Sequence, residues 1–406
     1  MHALDIAVVG AGTAGSAAAL FLARSGHRVT LYEHVLDPHP VGAGIVLQPT
    51  GLAVMALLGL DQAILSHAER LDRLWCTTPS GRTVVDLSYQ EVLPGAFGLG
   101  LHRGVLFQTL FNAARAEAGV TLKLGVGLDA FNESRKGVTL TERGSGARRE
   151  HELVVVCNGA RSTLRDDTPH AKHVEKYAWG ALWAVLPDPV SEPRRMLRQV
   201  VNGTRRLIGL LPTGRGPQPG SERLLSLFFS LRGDQLDEFR AGDFAAWRAG
   251  VVSDLPEAEP IVSQLQTPDD LLFSEYHDVT MWPWNTGRVV YLGDAAHATS
   301  PQLGQGCNLA LLDAWVLSQS LAGHDVLHDA LFAYSGARRS HLGWYQFITR
   351  WLTPFFQSSL WPLGLFRDLV FGPSTSVGFV RRQMVEAMAG ISRGPLCKAL
   401  PLPRAR

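Results

Sequence analysis

Ile6-Ala7-Val8-Val9-Gly10-Ala11-Gly12-Thr13-Ala14-Gly15 decides the fold of this chain. The first four residues form a short unbroken apolar run, as expected of a parallel strand buried on both faces. Three glycines in the pattern G-x-G-x-x-G follow, and Ser16 to Ala23 is a strong helix former that stops at Gly26. Arg28 to Glu33 reads as a second strand, which completes a βαβ unit. In this setting the glycines allow a tight turn whose N–H groups can meet a pyrophosphate at a helix N-terminus. Glu33 closes the second strand 18 residues past Gly15, where a carboxylate can accept hydrogen bonds from a ribose diol. The fingerprint alone does not separate NAD from FAD.

Further out, Leu153-Val154-Val155-Val156 and Val289-Val290-Tyr291-Leu292 have the same buried-strand texture, and each ends at a glycine-containing turn. They are expected beside the first strand, so the nucleotide sheet draws on pieces spread over the chain. Between them the texture changes. Tyr177, Trp179, Ala181, Trp183 and Val185 alternate at period two, the mark of one strand face. Leu197 to Val201 and Leu207 to Leu211 flank Asn202-Gly203, a hairpin signal, with a connection that can be longer than two residues. Leu224 to Leu231 and Leu271 to Tyr276 add further strands. The expected fold is α/β: a Rossmann-type nucleotide-binding domain in three pieces (1–75, 99–175 and 276–340), an inserted, mainly antiparallel β module (76–98 and 176–275) and C-terminal helices (341–406). Val380, Met384, Met388 and Ile391 form an apolar stripe on the last of these, and Pro401 to Arg406 is expected to fray.

Composition limits the function. The 406 residues carry 38 basic and 37 acidic side chains, and charged residues amount to only 18%, below the roughly 25% of an average soluble protein. That balance gives no electrostatic footprint for nucleic acid and argues against disorder. Cys76, Cys157, Cys307 and Cys397 are widely spaced, which points to neither a disulfide framework nor a metal site. The start of the chain has no export signal, and the apolar stretch from Trp351 to Phe366 is broken by Pro354 and Pro362, short of the about 20 residues a spanning helix needs. A cytoplasmic location is expected.

Two later stretches sharpen the cofactor. Gly293-Asp294-Ala295-Ala296-His297-Ala298-Thr299-Ser300-Pro301 follows a strand and leads through Gly304-Gln305-Gly306-Cys307-Asn308 into a helix that contains Asp313. An aspartate there can hold a ribityl hydroxyl, and the helix terminus suits negative charge on a reduced flavin. This run closely resembles the flavin-binding motif of the p-hydroxybenzoate hydroxylase-like family of single-component FAD-dependent monooxygenases. Leu101-His102-Arg103 resembles that family's FAD-contacting arginine segment, and Val41-Gly42-Ala43-Gly44-Ile45 resembles its loop beside the flavin. The likeness runs from the first strand to about Arg339. It implies that Gly10, Gly12, Ala14, Gly15, Glu33, Gly44, Arg103, Val126, Asp294, Pro301, Gly304, Gly306 and Asn308 contact FAD. One departure stands out: the family's Asp-Gly pair is Asn158-Gly159 here, which removes a charge associated with FAD and NAD(P)H contacts.

The resemblance further implies that NAD(P)H reduces FAD, that O2 adds at the flavin C4a, and that the hydroperoxide hydroxylates or epoxidises a substrate. The flavin carries the chemistry, so no catalytic side chain is assigned; His102, next to an expected FAD contact, is a weak candidate. His297 is expected to be structural, and Asp313 and Arg338-Arg339 are expected in surface or interdomain pairs. Trp179, Trp183 and Phe229, with Phe228, are candidates for a substrate pocket. The apolar weight of the β module and of the aromatic C-terminal segment implies a fairly large apolar substrate: aromatic, quinone-like or polyketide-like. The aromatic segment reads first as a lid over the entrance, second as a peripheral membrane contact, third as a dimer contact in a monomer-or-homodimer protein. The alternatives are a related flavoenzyme, either a halogenase or an isoprenoid double-bond reductase, and a flavin-bound ligand protein without catalysis. The halogenase is disfavoured because Trp282-Pro283-Trp284 continues as Thr286-Gly287.

Overall fold

The computed structural model describes residues 2–39, 42–166, 168 and 170–404. Val41 and the last two residues of the expected frayed tail lie outside the described residues. The fold is mixed α/β. A six-stranded sheet runs, in spatial order, through Asn285–Thr286, Val289–Tyr291, Leu153–Val156, Asp5–Val9, Arg28–Glu33 and Val120–Leu124. All neighbours are parallel except the two-residue edge strand. The scattered apolar runs therefore meet as expected: Val8 lies opposite Val155 on one side and Leu31 on the other. Ile6, Ala7 and Val8 are completely buried, in a core built from helices Thr13–Arg24 and Gly306–Ala322 and from Leu128, Val138 and Leu140. Val120–Leu124 has no continuous apolar run, since it is an edge strand with alternate residues facing solvent. Leu128, Val138 and Leu140 belong to an antiparallel meander, Leu128–Glu133, Val138–Glu142 and Arg148–His151, whose His151 packs edge-on to Tyr32.

A seven-stranded sheet forms the second layer, in the order Leu272–Trp282, Ala171–Pro187, Arg223–Arg232, Arg206–Arg215, Met196–Asn202, Arg73–Thr77 and Thr83–Ser88. It is antiparallel except between Met196–Asn202 and Arg73–Thr77. Its strands overrun the limits expected from sequence: Ala171–Pro187 starts before residue 176, Leu272–Trp282 continues past 275 and Arg73–Thr77 begins before 76. The register shifts between Lys176 and Gly180, so one long strand carries two differently phased halves. The stretch 236–262 is not strand; it holds the helices Leu236–Ala241, Phe244–Asp254 and Glu259–Val262. These cover the sheet face bearing Leu182, Leu227, Phe229, Ile208 and Leu210. The hairpin at Asn202 closes through three residues, with Asn202 paired to Arg206 and Gly203 at φ 58°.

The C-terminal part is helical: Gly306–Ala322, the 30-residue Leu327–Phe356, Trp361–Ser374 and Gly378–Met388. Met388 and Ile391 of the predicted stripe pack with Leu87 and Tyr89, and Met384 joins them half-buried. The tail is held rather than frayed as far as it is described. The Leu400 N–H donates to the Ile391 carbonyl at 2.7 Å, and Leu400 and Leu402 pack on that same cluster. Among the described residues no helix is long and apolar enough to cross a membrane.

Candidate functional site

The glycine turn is built by close approach. Gly10 has φ +100°, and a Cβ there would sit 2.7 Å from the Cys157 carbonyl oxygen. A Cβ on Gly15 would overlap the Gly10 carbonyl oxygen, so helix Thr13–Arg24 can lie against the strand only with glycine at that position. Gly12 is the residue before the helix, and the space where its Cβ would project is open. Glu33 braces this turn from below. Its Oε2 accepts from the Ala11 N–H at 2.9 Å and its Oε1 from the Val35 N–H at 3.0 Å. The Val126 N–H in turn donates to the Glu33 carbonyl at 2.9 Å. Gly10, Gly15, Glu33 and Val126 thus shape the turn from behind, whereas Gly12 and Ala14 line a cavity in front of it.

The second helix, Gly306–Ala322, brings its N-terminus to the same cavity, where Asp294, Pro301, Gly304 and Gly306 join the wall. Gly293, at φ +58°, lets the two helices converge: a Cβ there would lie 3.0 Å from Ala14 and 3.3 Å from Ala310. Asn308 faces away from the cavity and works as a clasp. Its Oδ1 accepts from the Gln48 N–H at 2.8 Å, and its Nδ2 donates to the Val46 and Gly304 carbonyls.

Behind this motif the structure corrects the expected surface pairs. Asp313 is 0% and Arg338 1% exposed. Asp313 accepts from the Gly293 N–H (2.9 Å), from His297 Nε2 (2.6 Å) and from Arg338 Nε (2.7 Å). Burial pushes its carboxyl up, but His297 and Arg338 outweigh that and hold it below the usual carboxylate range. Arg338 also donates to His341 Nδ1 at 2.8 Å, and His341 Nε2 donates to the Gly390 carbonyl. Burial, with the Arg338 charge, pushes His341 down to about 3, so it is neutral. Sequence spacing gave no hint of this chain, because its members come from three separate segments. His297 is structural here; Arg339, from the same dipeptide as Arg338, lies over the Trp282 ring at 4.9 Å.

Gly42 and Gly44 place their loop against Arg103 and the second sheet. A Cβ on Gly42 would be 2.9 Å from Arg103 Cβ, and one on Gly44 2.5 Å from Ser226 Oγ. Arg103 faces the cavity, and its guanidinium has no ion pair among the described residues. His102 caps the helix Arg103–Ala116: its Nδ1 accepts from the Gly104 N–H at 3.0 Å, and burial lowers its pKa. It lines the cavity with Nδ1 occupied as the helix cap, so it is not a free base there.

The cavity is continuous, about 1310 Å³, and extends from the two helix termini across the outer face of the seven-stranded sheet. That exceeds the roughly 300–1,000 Å³ of a pocket for one drug-sized ligand. Trp183 and Phe228 are directly paired across strands and line it. Phe229 does not. It is paired with Leu182 on the opposite face and packs edge-on to Trp247, because adjacent strand residues point to opposite sides. Trp179 is buried but also outside the cavity wall. Sequence reasoning missed several lining residues: Arg73, held by two hydrogen bonds to Asp86; Gln48 with Tyr89, at 2.6 Å; and Tyr276, whose hydroxyl accepts from Trp183 Nε1 at 3.3 Å. Arg73, Gln48 and Tyr89 sit at a strand end or in a single turn, where no periodicity marks them, and Tyr276 lies mid-strand opposite the register shift between Lys176 and Gly180. From 341 onward only Gln357 reaches the wall among the described residues, so the aromatic segment is not a lid over this space.

A family model described as an FAD binding domain matches residues 3–340. The chain belongs to this family. It is 31% identical over 362 residues to kynurenine 3-monooxygenase of Salinispora tropica, covering 83% of this chain and 76% of that protein. It is 30% identical over 334 residues to 6-hydroxynicotinate 3-monooxygenase of Bordetella bronchiseptica, covering 77% and 82%. Among solved structures, Klebsiella pneumoniae HpxO complexed with FAD and uric acid shares the fold, with a TM-score of 0.77 at 22% identity over 95% of this chain and 97% of that one. The protein is an FAD-dependent monooxygenase, as the p-hydroxybenzoate hydroxylase-like resemblance implied. Its residues suit the cofactor on their own evidence. Two helix N-termini and an unpaired arginine offer positive potential to a pyrophosphate, and the open space at Gly12 leaves room for it. Two buried acceptors, Asn158 Oδ1 and Gln305 Oε1, have no partner among the described residues, and such atoms call for a ligand or water.

Proposed function

We propose that this monooxygenase takes electrons from NAD(P)H and transfers one oxygen atom of O2 to a fairly large apolar substrate, an aromatic, quinone-like or polyketide-like ring that it hydroxylates or epoxidises. The observation that carries this reading is the continuity of one cavity from the glycine turn to an apolar chamber. Leu74, Leu197, Leu211, Leu224, Trp183 and Phe228 line that chamber. When bound, FAD supplies the redox chemistry and the activation of O2.

The chain's own residues do the rest. Gly12, Ala14 and the start of helix Thr13–Arg24 would cradle the pyrophosphate, Asp294 would accept from ribityl hydroxyls, and Arg103, first residue of the helix that His102 caps, would pair with a phosphate oxygen. Helix Gly306–Ala322 would face negative charge on the reduced ring system with its positive end. The apolar wall from the seven-stranded sheet excludes water from the reacting atoms and holds the substrate ring by burial. Tyr276 and Gln48 offer polar contacts for orientation within that wall. In this reading the chain divides along the same line into a cofactor part and a β substrate part, with strands 171–187 and 272–282 as walls of the substrate part. Asn158 stands where the family has a charge, so reductant binding here relies on other groups.

The test is NAD(P)H consumption by the FAD-loaded enzyme with a panel of large apolar rings and small charged phenols, with product mass measured under labelled O2. Label appearing in a multi-ring product, with consumption stimulated by that ring, is the expected result. Stimulation and labelling only by small charged phenols refutes the substrate class.

A further inference from the structure

Helix Trp361–Ser374 is apolar on both sides. Gly364, Arg367 and Phe371 turn inward, while Trp361, Leu365, Phe366, Leu369 and Val370 face out, 70%, 55%, 49%, 62% and 39% exposed. Such outward-facing large side chains normally occur singly on a protein surface. Here they continue onto the preceding helix. Trp351, 46% exposed, stacks with Phe371 at 6.1 Å, and both Trp351 and Phe366 pack against Phe355. Among the described residues this face carries no free charge. Arg350 is bound by Asp278 through two hydrogen bonds, and Arg367 is buried and holds Asp368. The rim is different. Arg82 is exposed and lines a groove of about 400 Å³ with Leu365 and Leu369. Arg205 is exposed as well, next to Thr204, whose hydroxyl donates to the Ser358 carbonyl. Neither arginine side chain has a hydrogen-bonded or ion-pair partner among the described residues.

We propose that this face docks on the surface of an anionic phospholipid bilayer, with helix Trp361–Ser374 lying in the interface and Arg82 and Arg205 meeting lipid phosphates. An apolar plateau with a basic rim matches a layer whose acyl region is apolar and whose headgroups are anionic. A second copy of the chain is a poorer match. In a symmetric contact each face meets its own kind, and among the described residues this one has no unpaired carboxylate to offer the arginines. Among the described residues no helix can span the bilayer, so the contact is one of lying on it. The next residue after the long helix, Gln357, lines the cavity. The docked face therefore adjoins the site, and the apolar substrate proposed above would be reached from the layer in which it dissolves. Docking itself does not depend on that substrate reading.

The experiment is vesicle flotation of the FAD-loaded full chain with phosphatidylcholine vesicles and with vesicles containing phosphatidylglycerol, at low and physiological salt. Binding to the anionic vesicles, weakened by salt, is expected. The triple variant Trp361→Ser, Leu365→Ser, Leu369→Ser should lose at least tenfold in partitioning while keeping its flavin absorbance, because all three side chains face solvent. Arg82→Ser and Arg205→Ser should each cost about fivefold on anionic vesicles and little on neutral ones. No flotation with either vesicle overturns the proposal. So does a concentration-dependent dimer, seen by light scattering, that the triple variant abolishes. Flotation is read without substrate, so its outcome is independent of the product assay.

Discussion

Replacing Asp313 with asparagine removes one charge from a site closed to bulk solvent. The wild-type carboxylate is 0% exposed and accepts from three donors within 2.6–2.9 Å. Asparagine keeps an oxygen for the Gly293 N–H but leaves the Arg338 guanidinium, 1% exposed, with only neutral His341 and the Leu309 carbonyl. Removing one partner of a buried ion pair costs about 3–5 kcal/mol. An unfolding entropy of roughly 2.1 cal/mol/K per residue over this chain length turns that into about 4–6 °C in Tm, if unfolding is cooperative. The loss is concentrated where it matters, because Gly293 and His297 bracket Asp294 on the cavity wall. The assay is thermal unfolding followed by far-UV circular dichroism, together with the flavin content of the purified variant. Asp313→Leu combined with Arg338→Leu should be less destabilised than either single change, since no lone charge is left behind. Thermal midpoints for Asp313→Asn and Arg338→Leu within about 1 °C of wild type would refute the reasoning.

His341 predicts an acid limb. Its folded pKa is pushed down to about 3 from 6.5. Below about pH 6.5 the unfolded chain gains a proton that the folded one refuses, so stability falls as pH drops toward 3. His341→Gln, which can still accept from Arg338 and donate to Gly390, should flatten that limb in denaturant titrations across this window; an unchanged slope contradicts it. Gly15→Ala should abolish FAD retention, because the new Cβ meets the Gly10 carbonyl, which cannot move without opening the turn; flavin absorbance after purification reads this directly. Phe228→Ala and Phe229→Ala should separate cleanly. The first should raise KM for the apolar substrate with a smaller loss of stability. The second should cost about 3–5 kcal/mol, as for an emptied core site, and leave KM near wild type.

Much of the fold could be read because its signals are local. A buried parallel strand must be apolar at every position, and a turn at a helix N-terminus must have glycine where backbone meets backbone. Gly10 and Gly15 are each explained by a single contact. The long Gly293–Asn308 run carries its spacing within one strand–turn–helix unit. Strand limits were harder to read: Ala171–Pro187 begins with charged, exposed positions and changes phase at Lys176–Gly180, so alternation shows only in its second half. The helices at 236–262 went unread among the strands because they lie within a stretch otherwise dominated by alternation.

By itself, the sequence determined the nucleotide-binding architecture and the shortage of charge, because each depends on residue type at short range; FAD came through the resemblance of the Gly293–Asn308 run to a known flavin-binding motif. Where the side chains go was decided only in three dimensions. Alternation says that Phe228 and Phe229 face opposite ways, but not which face borders the cavity; the helices packed on one side settle it. Asp313, Arg338 and His341 look like ordinary polar residues of two helices until folding removes their water and leaves one another as partners. The aromatic C-terminal segment was legible as greasy. Only the packed structure shows that its apolar side chains turn outward, away from the cavity they were expected to cover.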